Sequence, residues 1–314
     1  MRIPIICGPT AVGKTELSLE IAEKLDAEII SMDSMQIYKY MDIGTAKPSL
    51  VERNIVPHHM IDIVYPDEEY NVYKYVKETL DIIDKILSRG KIPILVGGTG
   101  LYAEGLIKGI VEIGPDFELR KKLQKLEKEN PGSLRSMLEE FDPVAAQRIH
   151  PNDIKRTIRA LEVILKMNRK FSELQKSVAP RKKFSLIFLN RERNELYERI
   201  NKRVENMIKL GLIDEVKKIL RMGYSPELNS MKAIGYKETI DFIHGKYSFD
   251  EYIHVLKRNS RHYARRQIIW FRRYRENVYN INLTNMSFKK SLKIIFEIIE
   301  CSLSIENSGR EING

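Results

Sequence analysis

Residues 8–15 form a complete G-x-x-x-x-G-K-[ST] phosphate-binding motif near the start of the chain. The motif follows an apolar run at residues 3–7 and precedes apolar residues at helical spacing from residue 16 onward, the strand–loop–helix setting that this motif requires. In that setting the backbone amides turn toward phosphate oxygens, and the helix adds the positive end of its dipole. The sequence therefore predicts an α/β fold of the P-loop NTPase type, a parallel sheet flanked by helices. A glycine turn that fits the pattern by chance is the alternative.

A diphosphate or triphosphate is the ligand expected at this loop. Lys14 supplies a positive charge, and the hydroxyl of Thr15 can hold Mg²⁺. The motif alone does not distinguish a phosphate that is transferred from one that is hydrolysed or departs as a leaving group. The residues expected to bind the ligand are Gly8, Thr10, Ala11, Val12, Gly13, Lys14 and Thr15.

Two other strand ends are expected beside this loop. An apolar run at residues 27–32 ends at Asp33, and another at 92–96 ends in a Gly-Gly-Thr-Gly sequence at 97–100. Because ligands of open parallel sheets collect beyond the carboxyl ends of the strands, both ends should face the same crevice. At this position Asp33 can contact a ligand directly; the alternative is a helix cap or an indirect contact to Mg²⁺. The adjacent His58 and His59 lack a third ligand at a suitable spacing, which favours a structural or surface role over metal binding.

The helical pattern changes in the middle of the chain and indicates an insertion. Segment 115–182 contains charged helical runs without strand patterns, and a strand pattern returns at 184–189. The sequence predicts an all-helical insertion domain at 115–182. The other predicted parts are a discontinuous catalytic core at 1–114 and 183–281, and a C-terminal segment 282–314 with a helix and a disordered tail from residue 306.

Positive charge suggests a polyanionic partner. The 314 residues include 53 Lys and Arg against 43 Asp and Glu, for a net charge of +10. Segment 257–275 holds eight cationic residues, no acidic residue and several aromatic residues. Cations neutralise phosphates and aromatic rings stack on unpaired bases, so this pattern favours single-stranded or loop RNA. An amphipathic helix with Ile268, Ile269 and Trp270 in the core and solvated arginines is the alternative.

Several protein classes do not fit the composition. Cys7 and Cys301 are the only cysteines, which excludes a disulfide framework or a cysteine-based zinc site. The chain has neither an apolar run of membrane-spanning length nor a signal-peptide pattern. We therefore expect a cytoplasmic protein, and a monomer is the default expectation.

Several stretches together resemble the signature motifs of the tRNA dimethylallyltransferases, also called tRNA isopentenyltransferases. The chain is similar to the shorter bacterial form, because it lacks the cysteines of the zinc finger that animal and fungal members add. The stretches that carry the resemblance are 8–15, 33–38, 42–48, 97–102, 150–153, 159–162, 230–236 and 265–271.

The resemblance implies transfer of a dimethylallyl group from dimethylallyl diphosphate to N6 of the adenosine 3′-adjacent to the anticodon, with diphosphate as the leaving group. It implies Mg²⁺ as the metal. Asp33 would be the general base and Thr99 would hydrogen-bond at the acceptor nucleotide. Arg203 is the preferred arginine at the diphosphate, and Arg199, four residues earlier on the same helical face, is the second choice. A solvated face paired with nearby glutamates is the alternative for both arginines.

The implied partner is the anticodon stem-loop of tRNA. The target adenine must leave its stack to react, and Gln36 is expected to read it. The residues expected to contact tRNA are Asp33, Ser34, Met35, Gln36, Thr99, Arg120, Lys155, Arg156, Arg159, Lys232, Arg261, Arg265 and Arg266.

Three rival functions remain open on the sequence. A phosphate-loop kinase for a small metabolite or nucleoside would use the same loop and Asp33, but would not explain the insertion or the basic segment. An adenylate isopentenyltransferase would prenylate a free nucleotide on a related core. A non-catalytic RNA-binding nucleotide switch would form no covalent product.

Overall fold

The structure is a computed structural model that describes residues 1–304, in which six parallel strands form one sheet. The sheet order is β3-β2-β4-β1-β5-β6, and the central strands are almost entirely buried, as parallel strands covered on both faces should be. The predicted α/β class is confirmed. The strands are β1 (Ile3–Cys7), β2 (Ala27–Met32), β3 (His58–His59), β4 (Ile92–Gly97), β5 (Phe184–Asn190) and β6 (Val278–Asn282).

Helices connect the strands and fill the insertion. The first four are α1 (Lys14–Lys24), α2 (Leu50–Ile55), α3 (Val72–Ser88) and α4 (Gly100–Lys108). The next five are α5 (Phe117–Glu129), α6 (Ser133–Phe141), α7 (Pro143–Arg148), α8 (Ile154–Met167) and α9 (Phe171–Ser177). The last five are α10 (Arg193–Lys209), α11 (Leu212–Arg221), α12 (Tyr236–Ile243), α13 (Phe249–Phe271) and α14 (Phe288–Ser304).

The chain divides into two compact units. The sheet unit comprises residues 1–107 and the chain from residue 182 onward, and the insertion unit comprises residues 108–181. The insertion therefore begins at residue 108 and not at the predicted 115, because Ile113 packs with Val163 and Leu174 in an apolar cluster of that unit.

The C-terminal helix α14 belongs to the sheet unit and is not a separate segment. Its buried Ile295 and Ile299 join the apolar cluster that contains β1 and α1, and the amide of Arg2 donates to the carbonyl of Ser302 at 3.0 Å. The predicted disordered tail from residue 306 lies outside the described residues.

Helix α13 is longer than the basic segment that predicted it. It starts at Phe249, where Ser248 and Glu251 form a capping box, and it ends at Phe271, so that Arg272, Arg273 and Arg275 lie beyond it. Ile269 is 50% exposed, contrary to the alternative that placed it in the core. The buried positions in this part of the helix are Ala264, Gln267 and Phe271.

The outer part of the sheet contains a buried carboxylate that is paired with an arginine and a histidine. Glu28 on β2 is 5% exposed and accepts hydrogen bonds from Arg89 at 2.9 and 2.8 Å, and its Oε2 lies 2.6 Å from Nε2 of His59 on β3. Burial raises the pKa of Glu28, but the hydrogen bonds from Arg89 and His59 outweigh it and hold the pKa below its ordinary value. Within residues 1–304 no cluster of three or more His, Cys, Asp or Glu could hold a metal ion.

We expect Arg89→Met to lower the free energy of unfolding at pH 7 by about 1–3 kcal/mol, because a buried carboxylate loses a charged donor. The folded pKa of Glu28 is below the unfolded pKa, so this stability is present above the unfolded pKa and is lost as the pH falls through the folded pKa. Urea unfolding at pH 7 and at acidic pH measures both effects. Lys91→Met is the control, since its partner Asp26 has an 83% exposed side chain; equal losses in the two variants would contradict the expectation.

Candidate active site

The phosphate loop between β1 and α1 has the backbone geometry that its glycines predict. Gly8 and Gly13 have φ angles of 151° and 110°, and Ala11 between them has φ 62°. A Cβ atom on Gly8 would lie 2.3 Å from the carbonyl oxygen of Leu189 on β5, so a side chain there would displace the neighbouring strand. The loop is therefore curved into a concave shape in which successive amides can converge on an anion.

The carbonyl groups of this loop are held by cationic side chains. Nζ of Lys14 donates to the carbonyls of Gly8 and Pro9 at 3.0 and 2.9 Å. Nε of Arg199 donates to the carbonyl of Ala11 at 2.8 Å. With these carbonyls engaged, the amides of the first turn of α1, which have no partner within the helix, remain for a ligand.

Arg191 is a further residue that holds the loop, and sequence reasoning gave it no role. Its Nε donates to the carbonyl of Val12 at 3.0 Å, and the same guanidinium pairs with Glu195 and donates to the carbonyl of Leu283 at 2.9 Å. Val12 itself is fully buried, so only its backbone can contact a diphosphate. Thr10 differs from the expectation in one respect, because its amide donates to Oε1 of Gln267 at 2.9 Å.

The positive charges near the loop repel one another. Burial and, after it, the charge of Arg203 lower the pKa of Lys14 to about 8, although the charge of Asp33 opposes both effects. Burial also lowers the pKa of Arg203, again against the charge of Asp33. An anionic ligand in this site would relieve the repulsion between the two cations.

The two candidate arginines have different surroundings. Among the described residues, Arg203 makes no hydrogen bond or ion pair, and it interacts electrostatically with both Lys14 and Asp33. Arg199 has its Nε on the carbonyl of Ala11, and its charged neighbours are Arg191, Glu195 and Glu16. Arg203 thus lies between the phosphate loop and the end of β2, whereas Arg199 supports the loop.

The ends of β2 and β4 are joined through Thr99. Its hydroxyl accepts a hydrogen bond from the amide of Ser34 at 3.0 Å, and its amide donates to the carbonyl of Met32 at 3.1 Å. Tyr263 on α13 lies close to Thr99. Asp33 begins a turn in which its Oδ1 accepts from the amide of Met35 at 2.8 Å, while Oδ2 has no hydrogen bond among the described residues.

Gln36 is held by the protein itself. Its Oε1 accepts from the hydroxyl of Ser31 at 2.8 Å, and its Nε2 donates to the carbonyls of Thr45 and Ala46 at 3.3 and 3.2 Å. The expected reading of a base by Gln36 would require these bonds to be exchanged. In the described structure, the side chain fixes the loop at residues 42–48.

Glu215 on α11 fixes the same loop from the other side, and nothing in its local sequence signals this role. Its Oε2 accepts from the amides of Asp42 and Ile43 at 3.0 and 2.8 Å. Its Oε1 accepts from the amide of Gly44 at 3.2 Å and from the hydroxyl of Tyr236 at 2.6 Å. One carboxylate therefore satisfies three successive amides of the loop.

The predicted tRNA contacts of the insertion unit fall into two groups. Arg120 donates to Oε1 and Oε2 of the buried Glu162 at 2.8 and 2.9 Å, and Arg159 donates to Oε2 of the same carboxylate at 2.5 Å. Both arginines are thus engaged inside the unit. Lys155 and Arg156 on α8 are exposed.

Of the four cationic tRNA contacts predicted in the sheet unit, three are exposed and one is partly buried. Lys232, Arg265 and Arg266 are exposed, and the Arg266 guanidinium lies 5.7 Å from the ring centroid of Tyr263. Arg261 is partly buried and donates to Oδ1 of Asn201 at 2.7 Å.

The phosphate loop and the two strand ends open into one cavity of about 1190 Å³. Its lining includes Lys14, Asp33 and Arg203, together with the loop at 42–48 and residues of α13. Pockets for single small ligands have volumes of about 300–1,000 Å³, so the cavity can hold a diphosphate and a nucleoside together.

The lowered pKa of Lys14 predicts a pH dependence of anion binding. The ammonium is charged below pH 8 and becomes neutral above it, so the affinity for inorganic diphosphate should fall as the pH rises from 8 to 9. Calorimetric titration of the wild type against Lys14→Met isolates this effect, because the ligand's own titration is common to both proteins. The same pH slope in both would contradict the assignment.

Family models and known proteins match this chain over most of its length. A family model described as IPP transferase matches residues 36–274, and one described as isopentenyl transferase matches residues 1–55. The chain is 60% identical over 296 residues to the tRNA dimethylallyltransferase of Thermotoga petrophila, covering 93% of this chain and 97% of that protein. It is 52% identical over 296 residues to the tRNA dimethylallyltransferase of Pseudothermotoga lettingae, covering 94% of each.

Two solved structures are similar over nearly the whole chain. The full-length tRNA isopentenylpyrophosphate transferase of Bacillus halodurans is 40% identical with a TM-score of 0.73, and the match covers 98% of both chains. A eukaryotic dimethylallyltransferase solved acting on tRNA is 31% identical with a TM-score of 0.83, covering 98% of this chain and 80% of that one. The chain belongs to the tRNA dimethylallyltransferase family.

Proposed function

We propose that this chain transfers a dimethylallyl group from dimethylallyl diphosphate to N6 of the adenosine 3′-adjacent to the anticodon in certain tRNAs. The products are N6-isopentenyladenosine and diphosphate. The observation that carries the proposal is the cavity lined by Lys14 of the phosphate loop, Asp33 and Arg203, which can bring a diphosphate ester and a base together. The names of the relatives support the same activity.

On the donor side, the reaction breaks the bond between the allylic carbon and the diphosphate oxygen, and negative charge grows on the departing group. The amides at the start of α1, Lys14 and Arg203 would stabilise that charge. Groups fixed before the reaction are effective because they need no reorganisation in the transition state. Arg191 and Arg199 would keep the loop in the shape that presents these groups.

On the acceptor side, N6 of adenine attacks the allylic carbon and loses a proton. Asp33 is the proposed general base, because its Oδ1 is fixed by the turn to Met35 while Oδ2 has no hydrogen bond among the described residues. The proton would pass from N6 to this carboxylate. Thr99, whose hydroxyl accepts a hydrogen bond from the amide of Ser34, would hydrogen-bond the acceptor nucleotide.

A divalent metal is consistent with the residues at the loop, and we propose Mg²⁺. The side chain of Thr15 lines the cavity, and its hydroxyl has no hydrogen-bond partner among the described residues. Mg²⁺ favours one or two protein oxygens together with phosphate oxygens and water. A bound ion would neutralise charge on the diphosphate, and Thr15 would be its protein ligand.

For tRNA, we propose that the exposed cations contact the phosphates of the anticodon stem-loop. These are Lys155, Arg156, Lys232, Arg265 and Arg266. Arg120 and Arg159 would act mainly through Glu162 by shaping the insertion unit. The enzyme would act as a monomer in the cytoplasm, and no helix within residues 1–304 is long and apolar enough to cross a membrane.

The activity is tested with labelled dimethylallyl diphosphate, Mg²⁺ and an anticodon stem-loop that carries adenosine 3′ of the anticodon. Nuclease digestion and mass spectrometry should identify N6-isopentenyladenosine. ATP turnover without an RNA requirement would indicate a kinase, and prenylation of free nucleotides would indicate an adenylate isopentenyltransferase.

Asp33→Asn keeps the acceptor of the turn but not the base, so turnover should fall about 10²–10⁴-fold with RNA affinity retained. Asp26→Asn is the control, and normal turnover in Asp33→Asn would contradict the role of Asp33.

Substitutions of Arg203 and Arg199 should have different effects in single-turnover kinetics. Arg203→Met removes a donor that acts as charge develops, and we expect a loss on the order of 10²–10³-fold in rate. Arg199→Met removes a support of the loop, and its larger effect should be on diphosphate affinity. A greater loss of rate in Arg199→Met than in Arg203→Met would reverse the assignment.

A further inference from the structure

One face of α13 contacts the loop that follows β4 at successive positions. The residues of this face are Tyr263, Gln267 and Trp270, at a spacing that places them in one row along a helix. Tyr263 lies close to Thr99, and Nε2 of Gln267 donates to the carbonyl of Gly98 at 3.0 Å. These contacts tie the glycine-rich loop to the helix.

The glycines of this loop are required by the close approach of α13. A Cβ atom on Gly98 would lie 2.1 Å from Nε2 of Gln267 and 3.1 Å from the carbonyl oxygen of Gly8. A Cβ atom on Gly100 would lie 2.3 Å from Cδ1 of Trp270. The helix, the loop and the start of the phosphate loop are thus packed without room for a methyl group.

Gln267 also reaches the phosphate loop. Its Oε1 accepts from the amide of Thr10 at 2.9 Å, and the residue is only 6% exposed. A single amide group therefore bonds the donor loop through its oxygen and the loop of Thr99 through its nitrogen. Both of its polar atoms are used within the protein.

We propose that Gln267 is a positioning residue that fixes the phosphate loop against the Gly97–Gly100 loop, and so sets the distance between the diphosphate and the acceptor nucleotide. This inference rests on the proposed prenyl transfer. The two loops carry the groups that hold the two reactants, and misplacement of reacting groups by about 1 Å can cost on the order of 10²-fold in rate. Gln267 does not contact either reactant in this assignment.

This role predicts that loss of the Gln267 side-chain amide changes the rate of the reaction but not the affinity for either substrate. The two hydrogen bonds of the Gln267 side chain form a bridge between the loops. The amide of Thr10 is already occupied by Gln267, so loss of this bridge removes no donor from the diphosphate. The exposed cations that would contact tRNA are also unchanged. Removal of the bridge should therefore lower the chemical rate while leaving the binding of each substrate nearly intact.

The test compares Gln267→Met, which keeps the length of the side chain but loses both bonds, with Gln267→Glu, which keeps only the acceptor for Thr10. The control is Asn259→Ala, which removes an amide on the same helix that bonds Glu238 at 2.7 Å and does not line the cavity. We expect single-turnover prenylation to fall about 10²-fold in Gln267→Met, to fall also in Gln267→Glu, and to be unchanged in Asn259→Ala. The dissociation constants for inorganic diphosphate and for the anticodon stem-loop should change little in all three.

A wild-type rate in both Gln267 variants would overturn the inference. A loss of both affinities in parallel with thermal stability would also overturn it, because that result indicates a purely structural residue. If the wild type itself forms no prenylated product, the proposed function fails instead.

The effect of the Gln267 bridge on the two loops can also be measured without catalysis. Hydrogen exchange should become faster in Gln267→Met for peptides that cover both the phosphate loop and the Gly97–Gly100 loop, and should be unaffected there in Asn259→Ala. Unchanged protection of the two loops in the Gln267 variants would overturn the inference regardless of the reaction.

Discussion

The direction of the hydrogen bonds around the phosphate loop is the constraint on which the rest of the site depends. Lys14, Arg191 and Arg199 bond its carbonyl oxygens, so the amide groups are the polar atoms left to face the cavity. The arrangement concentrates positive charge, and the charge of Arg203 adds to the effect of burial in lowering the pKa of Lys14. A loop held in this way is prepared for an anion before one arrives, which is the condition for efficient electrostatic stabilisation of a leaving group.

Helix α13 combines two functions that its composition suggested as alternatives. The outer face carries exposed arginines such as Arg265 and Arg266, in agreement with the charge pattern that favoured RNA. The inner face carries Gln267 and the buried Phe271, which tie the helix to the sheet unit. The same helix therefore supplies a basic surface on one face and a support for the loops on the other.

The sequence predicted structural features correctly where the pattern spans only a few residues. The strand ends at residues 32 and 97 and the phosphate loop follow from apolar runs and glycine positions. β6 escaped prediction because its single buried residue, Ile281, leaves a weak pattern. The insertion boundary was displaced because residues 109–114 have no regular pattern of their own, and the packing of Val111 and Ile113 assigns them to the insertion unit.

Side-chain partners were harder to predict than elements. Arg199 and Arg203 share a helical face, and only partners distant in the sequence distinguish them, such as the carbonyl of Ala11 for Arg199 and the charges of Lys14 and Asp33 for Arg203. Arg159 and Glu162 are three residues apart, so their pairing was visible in the sequence, but the complete burial of Glu162 was not. The roles expected for Asp33, Thr99 and the tRNA contacts stay predictions, now with defined surroundings.

The bond between Thr10 and Gln267 joins residues that are 257 positions apart. During synthesis, which proceeds from the N-terminus, the phosphate motif emerges among the first residues, but this bond cannot form until α13 has been made. The contacts from Arg191 and Arg199 also come from the second half of the chain. The motif that is synthesised first is therefore the part of the site that is completed last, and a nascent chain that ends before α13 has no fully assembled donor site.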